Sequence, residues 1–315
     1  MFGYAIRRIV ATIPVLFVVM LLIFLLLHLG PNDPAAVIAG DFAQPEHIER
    51  IRERLGLDRP LWVQFGDWLW RVLQGNLGTS IFNEIPVAQL IVQRLEPTIA
   101  LTVSTITFAV LVGVPLGVLA AWKAGSIVDR SVMVFAVTGF SLPVFVLGYI
   151  LVFIFSLRLG VLPVQGYTSI SDGFVPFLRS IILPTLSLGM IYVALLARMT
   201  RASVIEVLNQ DYIRTARAKG LTTPPILLVH ALKNAAIPIV TTIGLGVALL
   251  ISGVVVTETV FAIPGVGRLT VDAIVRKDYP VIQGVLLVFT VAFVLINLLV
   301  DLSYSLFDPR IRYQR

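Results

Sequence analysis

The sequence predicts an all-α membrane protein of six transmembrane helices with a small helical loop domain on its outer side. Three observations carry this. Of the 315 residues, 57% are hydrophobic and 13% charged, where soluble domains run about 45–50% apolar and about 25% charged. Six apolar runs approach the length of about 20 residues that a crossing needs. None of them alternates as a barrel strand would, so helices, which close their own backbone hydrogen bonds, are the spanning element.

The runs are Ile9–Leu29, Thr98–Ala121, Ser131–Leu157, Ile181–Ala197, Ala235–Thr257 and Val281–Leu306, none with a charge near its middle. The first follows Arg7 and Arg8, as a signal peptide would. It exceeds the roughly 7–15 apolar residues of a cleaved signal and is read as a retained helix. Pro115, Pro143, Pro184 and Pro238 fall in or at the ends of spans, where kinks are tolerated if neighbours satisfy the freed carbonyls. Gly113-x-x-x-Gly117 in the second run is a close-packing signal.

Six crossings put both termini on one side. With the N-terminus inside, thirteen of the 24 Lys and Arg fall on inner segments, against five near the outer helix ends once the long outer loop is left out. The net charge of +6 then divides into +9 inside, −2 outside and −1 at Asp301. A basic balance that would suggest nucleic acid in a soluble chain reports orientation here, so no nucleic-acid partner is expected. Cysteine is absent, which excludes disulfides, thiolate metal sites and a catalytic thiol.

Residues 30–97 form the long outer loop. Gly30-Pro31-Asn32-Asp33-Pro34 is turn-rich. Pro45–Leu55 reads as a helix stopped by Gly56, with Ile48, Ile51 and Leu55 on one face. Pro60–Gln74 reads as a second, with an apolar stripe of Leu61, Phe65, Trp68, Leu69 and Val72 and with Trp62 and Trp70 beside it. Such a helix either lies at the membrane interface or caps the outer ends of the spans.

Residues 198–234 form the inner loop. Asp211 is placed to cap the run Tyr212–Lys219, which Gly220 stops. Tyr212, Ile213 and Ala216 share one face; Arg214, Arg217 and Lys219 occupy much of the rest. Thr223-Pro224-Pro225 breaks the chain before a second helix over Ile226–Leu232. Anchoring to anionic lipid is one reading of these charges. A connector needs far fewer residues than this loop has, which favours a docking element.

Chemistry is sparse. His28, His47 and His230 make no ligand spacing. There is no phosphate loop, and Gly139-Phe140-Ser141-Leu142-Pro143 fails as a nucleophile elbow. The reading therefore assigns no catalytic, cofactor or metal residue. Asp301 is the one ionisable residue it places inside a span, as a local cap or inter-helix partner. The lack of charge near the midplane argues against ion-coupled transport. A transporter or channel part that borrows energy from another subunit fits.

The inner loop Gln210-Asp211-Tyr212-Ile213-Arg214-Thr215-Ala216-Arg217-Ala218-Lys219-Gly220-Leu221, with His230-Ala231-Leu232-Lys233-Asn234-Ala235 and Pro238, resembles binding-protein-dependent ABC transporter permeases of the dipeptide/oligopeptide type. So do Leu55-Gly56-Leu57-Asp58-Arg59-Pro60, Gly75-Asn76-Leu77-Gly78-Thr79-Ser80, the stretch Thr259–Arg268, Asp278-Tyr279-Pro280-Val281-Ile282-Gln283-Gly284, and Asp301-Leu302 with Leu306-Phe307-Asp308-Pro309-Arg310.

The resemblance implies a type I ABC importer permease fold in a bacterial inner membrane, with N and C termini cytoplasmic. It implies an ATPase-coupling element at Asp211, Tyr212, Arg214, Thr215, Ala216, Arg217, Lys219 and Gly220. Where the general importer pattern has Glu-Ala-Ala, three residues and Gly, this chain keeps Ala216 and Gly220 but carries Arg214 and Thr215, as the peptide branch does. Implied partners are a second homologous permease, two ATPase subunits holding ATP and Mg, a periplasmic solute-binding protein and the bilayer. The chain divides into residues 1–29, the periplasmic loop 30–97, a core 98–306 containing the coupling loop 198–234, and a tail 307–315. The implied cargo is di- or oligopeptide; nickel, glutathione or oligosaccharide remain open within the family, as does an ATPase-independent channel or scaffold outside it.

Overall fold

A computed structural model describes residues 2–29, 34–39 and 44–307. The turn expected at 30–33 and the tail at 308–315 lie outside the described residues, as do the side chains of His28 and His47. The helices are α1 (Phe2–Leu29), α2 (Pro34–Ala39), α3 (Pro45–Leu55), α4 (Leu61–Leu73), α5 (Val87–Trp122), α6 (Ile127–Ser141), α7 (Val144–Arg158), α8 (Phe174–Leu208), α9 (Asp211–Ala218), α10 (Thr223–Asn234), α11 (Ala236–Val260), α12 (Val266–Arg276) and α13 (Tyr279–Phe307). No strand occurs among the described residues.

Four helices, α1, α5, α8 and α13, are long and apolar enough to cross a membrane; six spans result if each of two bent pairs counts as one. The pairs are α6 with α7, bent by 102°, and α10 with α11, bent by 60°. The third expected span is therefore not straight. Leu142 is extended (φ −84°, ψ 126°) and Pro143 starts the second arm at its N-cap, because the residue before proline is pushed out of the helical region. In the last turn before the break the Ser141 hydroxyl donates back to the Val137 carbonyl at 2.8 Å.

The chain divides into two compact units. The first comprises residues 96–268 and the chain from 296 onward. Its core gathers Leu101, Leu188, Val193, Leu250, Val254 and Ile263 around α8, whose apolar window is 72% buried. The small residues there have a purpose. A Cβ on Gly113 would sit 3.0 Å from the Val193 carbonyl oxygen, and one on Gly117 only 2.6 Å from that of Ala197. The glycine pair thus sets the approach of α5 to α8, as its spacing predicts. A second cluster, Ala121, Val204, Leu227, Ala231 and Ile239, packs the end of α8 against α10 and α11.

The second unit comprises residues 2–95 and 269–295. Here α3 has its expected limits, and Gly56 closes it with φ 68°, its N–H bonded to the last turn. The Gln283 side chain donates to the Ile23 carbonyl at 3.3 Å, joining α13 to α1. Gly284 lets Val87 come so close that a Cβ would lie 2.5 Å from Val87 Cγ1.

Gly117→Ala should lower the Tm of the purified complex by an overpacking cost of about 1–3 kcal/mol. Gly66→Ala, on α4 with nothing within 4 Å of the added methyl, should raise it through about 0.5–1 kcal/mol of helix propensity. Thermal unfolding of the two variants checks both signs.

Candidate functional site

The predicted coupling residues lie on α9 and its exit. Within the expected inner segment 198–234, α8 continues unbroken to Leu208 and leaves only Asn209 and Gln210 before α9. Gln210, not Asp211, holds the N-cap position (φ −72°, ψ 149°) and makes no side-chain cap bond. Asp211 is the first helical residue, where an acid still complements the helix dipole. Its carboxylate accepts from Arg214 Nη1 at 3.0 Å, and both side chains are largely exposed.

Ile213 is fully buried and anchors the helix, while Tyr212 is 44% exposed and Ala216 half-buried. Partial burial raises the Tyr212 hydroxyl above the ordinary phenol value. The Thr215 hydroxyl donates back to the Asp211 carbonyl at 3.1 Å. Arg214, Arg217 and Lys219 point outward, so the free face of α9 is basic. Gly220 closes the helix with φ +83°: its N–H bonds Arg217 O at 2.9 Å and the Leu221 N–H bonds Ala216 O at 3.2 Å. Space around Gly220 is open, so the backbone angle alone calls for glycine. The expected break at Thr223-Pro224-Pro225 is instead the first turn of α10, where proline's missing N–H costs nothing.

Beneath this element lies an ion pair that the charge census treated only as orientation signal. Arg201 on α8 grips Asp129 through two parallel bonds, Nε to Oδ1 at 2.5 Å and Nη2 to Oδ2 at 2.7 Å. Asp129 is 3% exposed and also accepts the Gly125 N–H at 2.9 Å. The turn between α5 and α6 is thereby fixed to the extension of α8 that leads to α9. The local signal was Ser126 followed three residues on by an acid, a capping-box pattern.

At the other end of the first unit is a site that sequence reading missed. The expectation that Asp301 is the one ionisable residue within a span is corrected: Glu258 lies on α11 and is fully buried, whereas Asp301 is half-buried. Thr98 Oγ1 donates to Glu258 Oε1 at 2.6 Å, and the Arg268 N–H donates to Oε2 at 2.9 Å. The Val266 N–H in turn donates to Thr98 Oγ1 at 2.8 Å. A Cβ on Gly265 would overlap the carboxylate, and one on Gly267 would lie 2.7 Å from Val255 Cα. The glycines of Pro264-Gly265-Val266-Gly267 are thus explained by the glutamate they wrap. A glutamate followed seven and nine residues later by glycine was the available signal. Nearby in this unit, Tyr167 and Ser169 both donate to Glu96 Oε1, at 3.1 and 2.5 Å. Burial and the Glu96 bond push the Tyr167 hydroxyl well up.

In the second unit, two stretches of the resemblance meet. Ser80 Oγ donates to Asp278 Oδ2 at 2.5 Å, and the Ile81 N–H donates to Oδ1 at 3.3 Å. Asp278 is 4% exposed and immediately precedes α13. Pro280 lies 3.7 Å from the Cβ position of Gly78.

An apolar crevice in the first unit is lined by Ile106, Ala109, Tyr192, Leu196, Thr242 and Gly246 among others, and Thr242 spends its hydroxyl on the Pro238 carbonyl at 2.8 Å.

Two family models match. Residues 113–313 match the binding-protein-dependent transport system inner membrane component, and residues 1–102 match the N-terminal membrane component of the same systems. The chain is 56% identical over 310 residues to a probable peptide ABC transporter permease protein of Sinorhizobium fredii, covering 98% of this chain and 99% of that one. It is 44% identical over 314 residues to the glutathione transport system permease protein of Escherichia coli K12, covering all of both. Among solved structures it resembles the inward-facing MetNI methionine ABC transporter, with TM-score 0.58 and 20% identity over 70% of this chain and 97% of that chain, a likeness of fold.

Glu258→Ala strands the Thr98 hydroxyl and the Arg268 N–H in an apolar interior, at an expected cost of about 2–4 kcal/mol. Thr98→Val should cost less. In a double-mutant cycle the pair should fall short of additivity by more than about 0.5 kcal/mol; additive losses of Tm would refute the coupling.

Proposed function

This chain belongs to the binding-protein-dependent transport system inner membrane components, and we propose on that premise that it is the permease subunit of an ATP-driven ABC importer for di- and oligopeptides. It forms half of the translocation pathway across the bacterial inner membrane, as a multi-pass protein with cytoplasmic N and C termini. A second, homologous permease supplies the other half. Two ATPase subunits bind ATP and Mg, and a periplasmic solute-binding protein delivers cargo to the outer loops.

The observation that carries this reading is the full-length likeness to peptide permeases, together with the form of α9. That helix is short, stopped by a left-handed Gly220, anchored by Ile213 and basic on its free face. Such an element suits a cleft in a partner and transmits displacement to the helices on either side. Asp211, Tyr212, Arg214, Thr215, Ala216, Arg217, Lys219 and Gly220 are the coupling residues. Arg214 and Arg217 meet the ATPase, and Gly220 sets the turn. Glutathione is the second reading, favoured by the 44% identity to a glutathione permease; it is itself a peptide, so both readings share a cargo chemistry.

Arg214→Glu with Arg217→Glu should abolish cargo-stimulated ATP hydrolysis in reconstituted complexes while leaving α9 folded. Gly220→Pro should do the same by moving α9, since proline cannot adopt a φ near +83°. Undiminished stimulation in both variants would remove the coupling assignment. Competition between glutathione and unrelated dipeptides for uptake separates the two cargo readings.

A further inference from the structure

We propose that α4 is an interfacial helix whose second apolar face lies in the lipid of the leaflet at the C-terminal end of α1. One face of α4 is already occupied. Phe65 packs edge-on against Phe17 and Phe24 of α1, with ring centroids 5.8 and 5.3 Å apart, and Trp68 sits 5.9 Å from Phe24. These contacts fix depth. Phe17 and Phe24 both lie within Arg8–Leu25, the apolar window of α1, which is only 11% buried. The two phenylalanines are separated by about 10 Å of helix axis. A helix held between them sits alongside the spanning part of α1, not beyond its end.

The rest of α4 agrees with that depth. At about 100° per residue, Trp62, Gly66, Leu69, Trp70 and Leu73 fall on an arc next to the α1-facing stripe, with no charge among them. Trp62 is 77% exposed, Trp70 63% and Leu73 67%. This arc continues the lipid-type surface of α1, where Val18 and Leu22 are 53% and 59% exposed. The polar residues Gln64, Asp67 and Arg71 occupy the opposite side, and Gln64 and Asp67 are bound to the turn before the helix. Gln64 Nε2 donates to the Leu57 and Arg59 carbonyls at 3.1 and 2.7 Å, and Arg59 pairs with Asp67 at 3.5 Å. A soluble partner would meet a face without a charge to recognise, whereas tryptophan at the headgroup boundary is what a bilayer selects. The helix therefore caps α1 with one face and enters lipid with the other.

The protein reports on this itself, because three of its four tryptophans, Trp62, Trp68 and Trp70, are on α4 and the fourth is Trp122. The complete complex carrying Trp122→Phe is reconstituted in nanodiscs of phosphatidylcholine brominated either near the carbonyl end or near the tail end of the acyl chain, and the emission of a matched complex lacking all four tryptophans of this chain is subtracted. The expected result is strong quenching by the shallow bromines, weaker quenching by the deep ones, and little by aqueous iodide. A variant with Trp68→Phe and Trp70→Phe added, leaving Trp62, should behave alike. Emission quenched by iodide and indifferent to brominated lipid would overturn the proposal. So would protection from iodide that arises only when the solute-binding protein is added, which would make the arc a protein-docking face. Cargo-stimulated ATP hydrolysis by the same samples separates loss of this proposal from loss of the importer reading.

Discussion

In an apolar chain the costly groups are the backbone N–H and C=O left open wherever a helix stops, and the buried carboxylates of this protein stand at such stops. Among the described residues the buried acids are Asp129, Glu258 and Asp278. Each accepts a main-chain N–H from a connecting segment or helix start: Gly125, Arg268 and Ile81 respectively. Each also takes a side-chain donor: Arg201, Thr98 and Ser80. Burying a carboxylate is expensive unless its oxygens are met, and leaving backbone donors unmet in lipid is expensive too. Placing one against the other offsets both costs and fixes the connection.

That arrangement bears on how motion travels on the proposed reading. Where a turn is fixed by a buried carboxylate, the helices it joins move as one body. The bidentate Asp129–Arg201 contact joins the α5–α6 turn to the end of α8 in this way, and bidentate geometry restricts rotation as well as distance. The neighbouring α9 is different: Ile213 is its one fully buried side chain, and its ion pair is exposed, so little resists its displacement. A lightly held helix next to a rigidly held one suits an element that a partner grips and that passes movement to the spans.

Local signals were legible in the sequence and distant ones were not. The limits of α3, the glycine stop after α9 and the packing role of Gly113 and Gly117 follow from residues within a turn or two of each other, and the fold agrees. Proline alone did not disclose which span bends: Pro115 and Pro184 sit inside continuous helices, while Pro143 begins a new arm. The fifth apolar run is read as ending at Thr257, beside Glu258. The helix continues to Val260 because that carboxylate is met by Thr98, 160 residues away. Arg201 and Asp129 are 72 residues apart. Partners at such separations leave no local pattern, so both sites read as ordinary charges.

A carboxylate buried in a spanning helix is where ion-coupled transporters commonly hold their ion, and Glu258 is such a carboxylate although no apolar run shows a charge at its middle. The direction of its hydrogen bonds argues for a fixed role. Thr98 Oγ1 accepts from the Val266 N–H and so directs its own proton to Glu258. A second donor, the Arg268 N–H, is main chain. Together the two contacts hold the carboxylate in one orientation, where a proton relay needs a group that exchanges its proton. A relay also needs a path for water, yet the residue has no exposed surface and Gly265 is closed over it. The glycines after α11 are therefore the cost of seating a structural carboxylate at the end of a span, and on the proposed reading the energy for transport enters elsewhere, where α9 is presented.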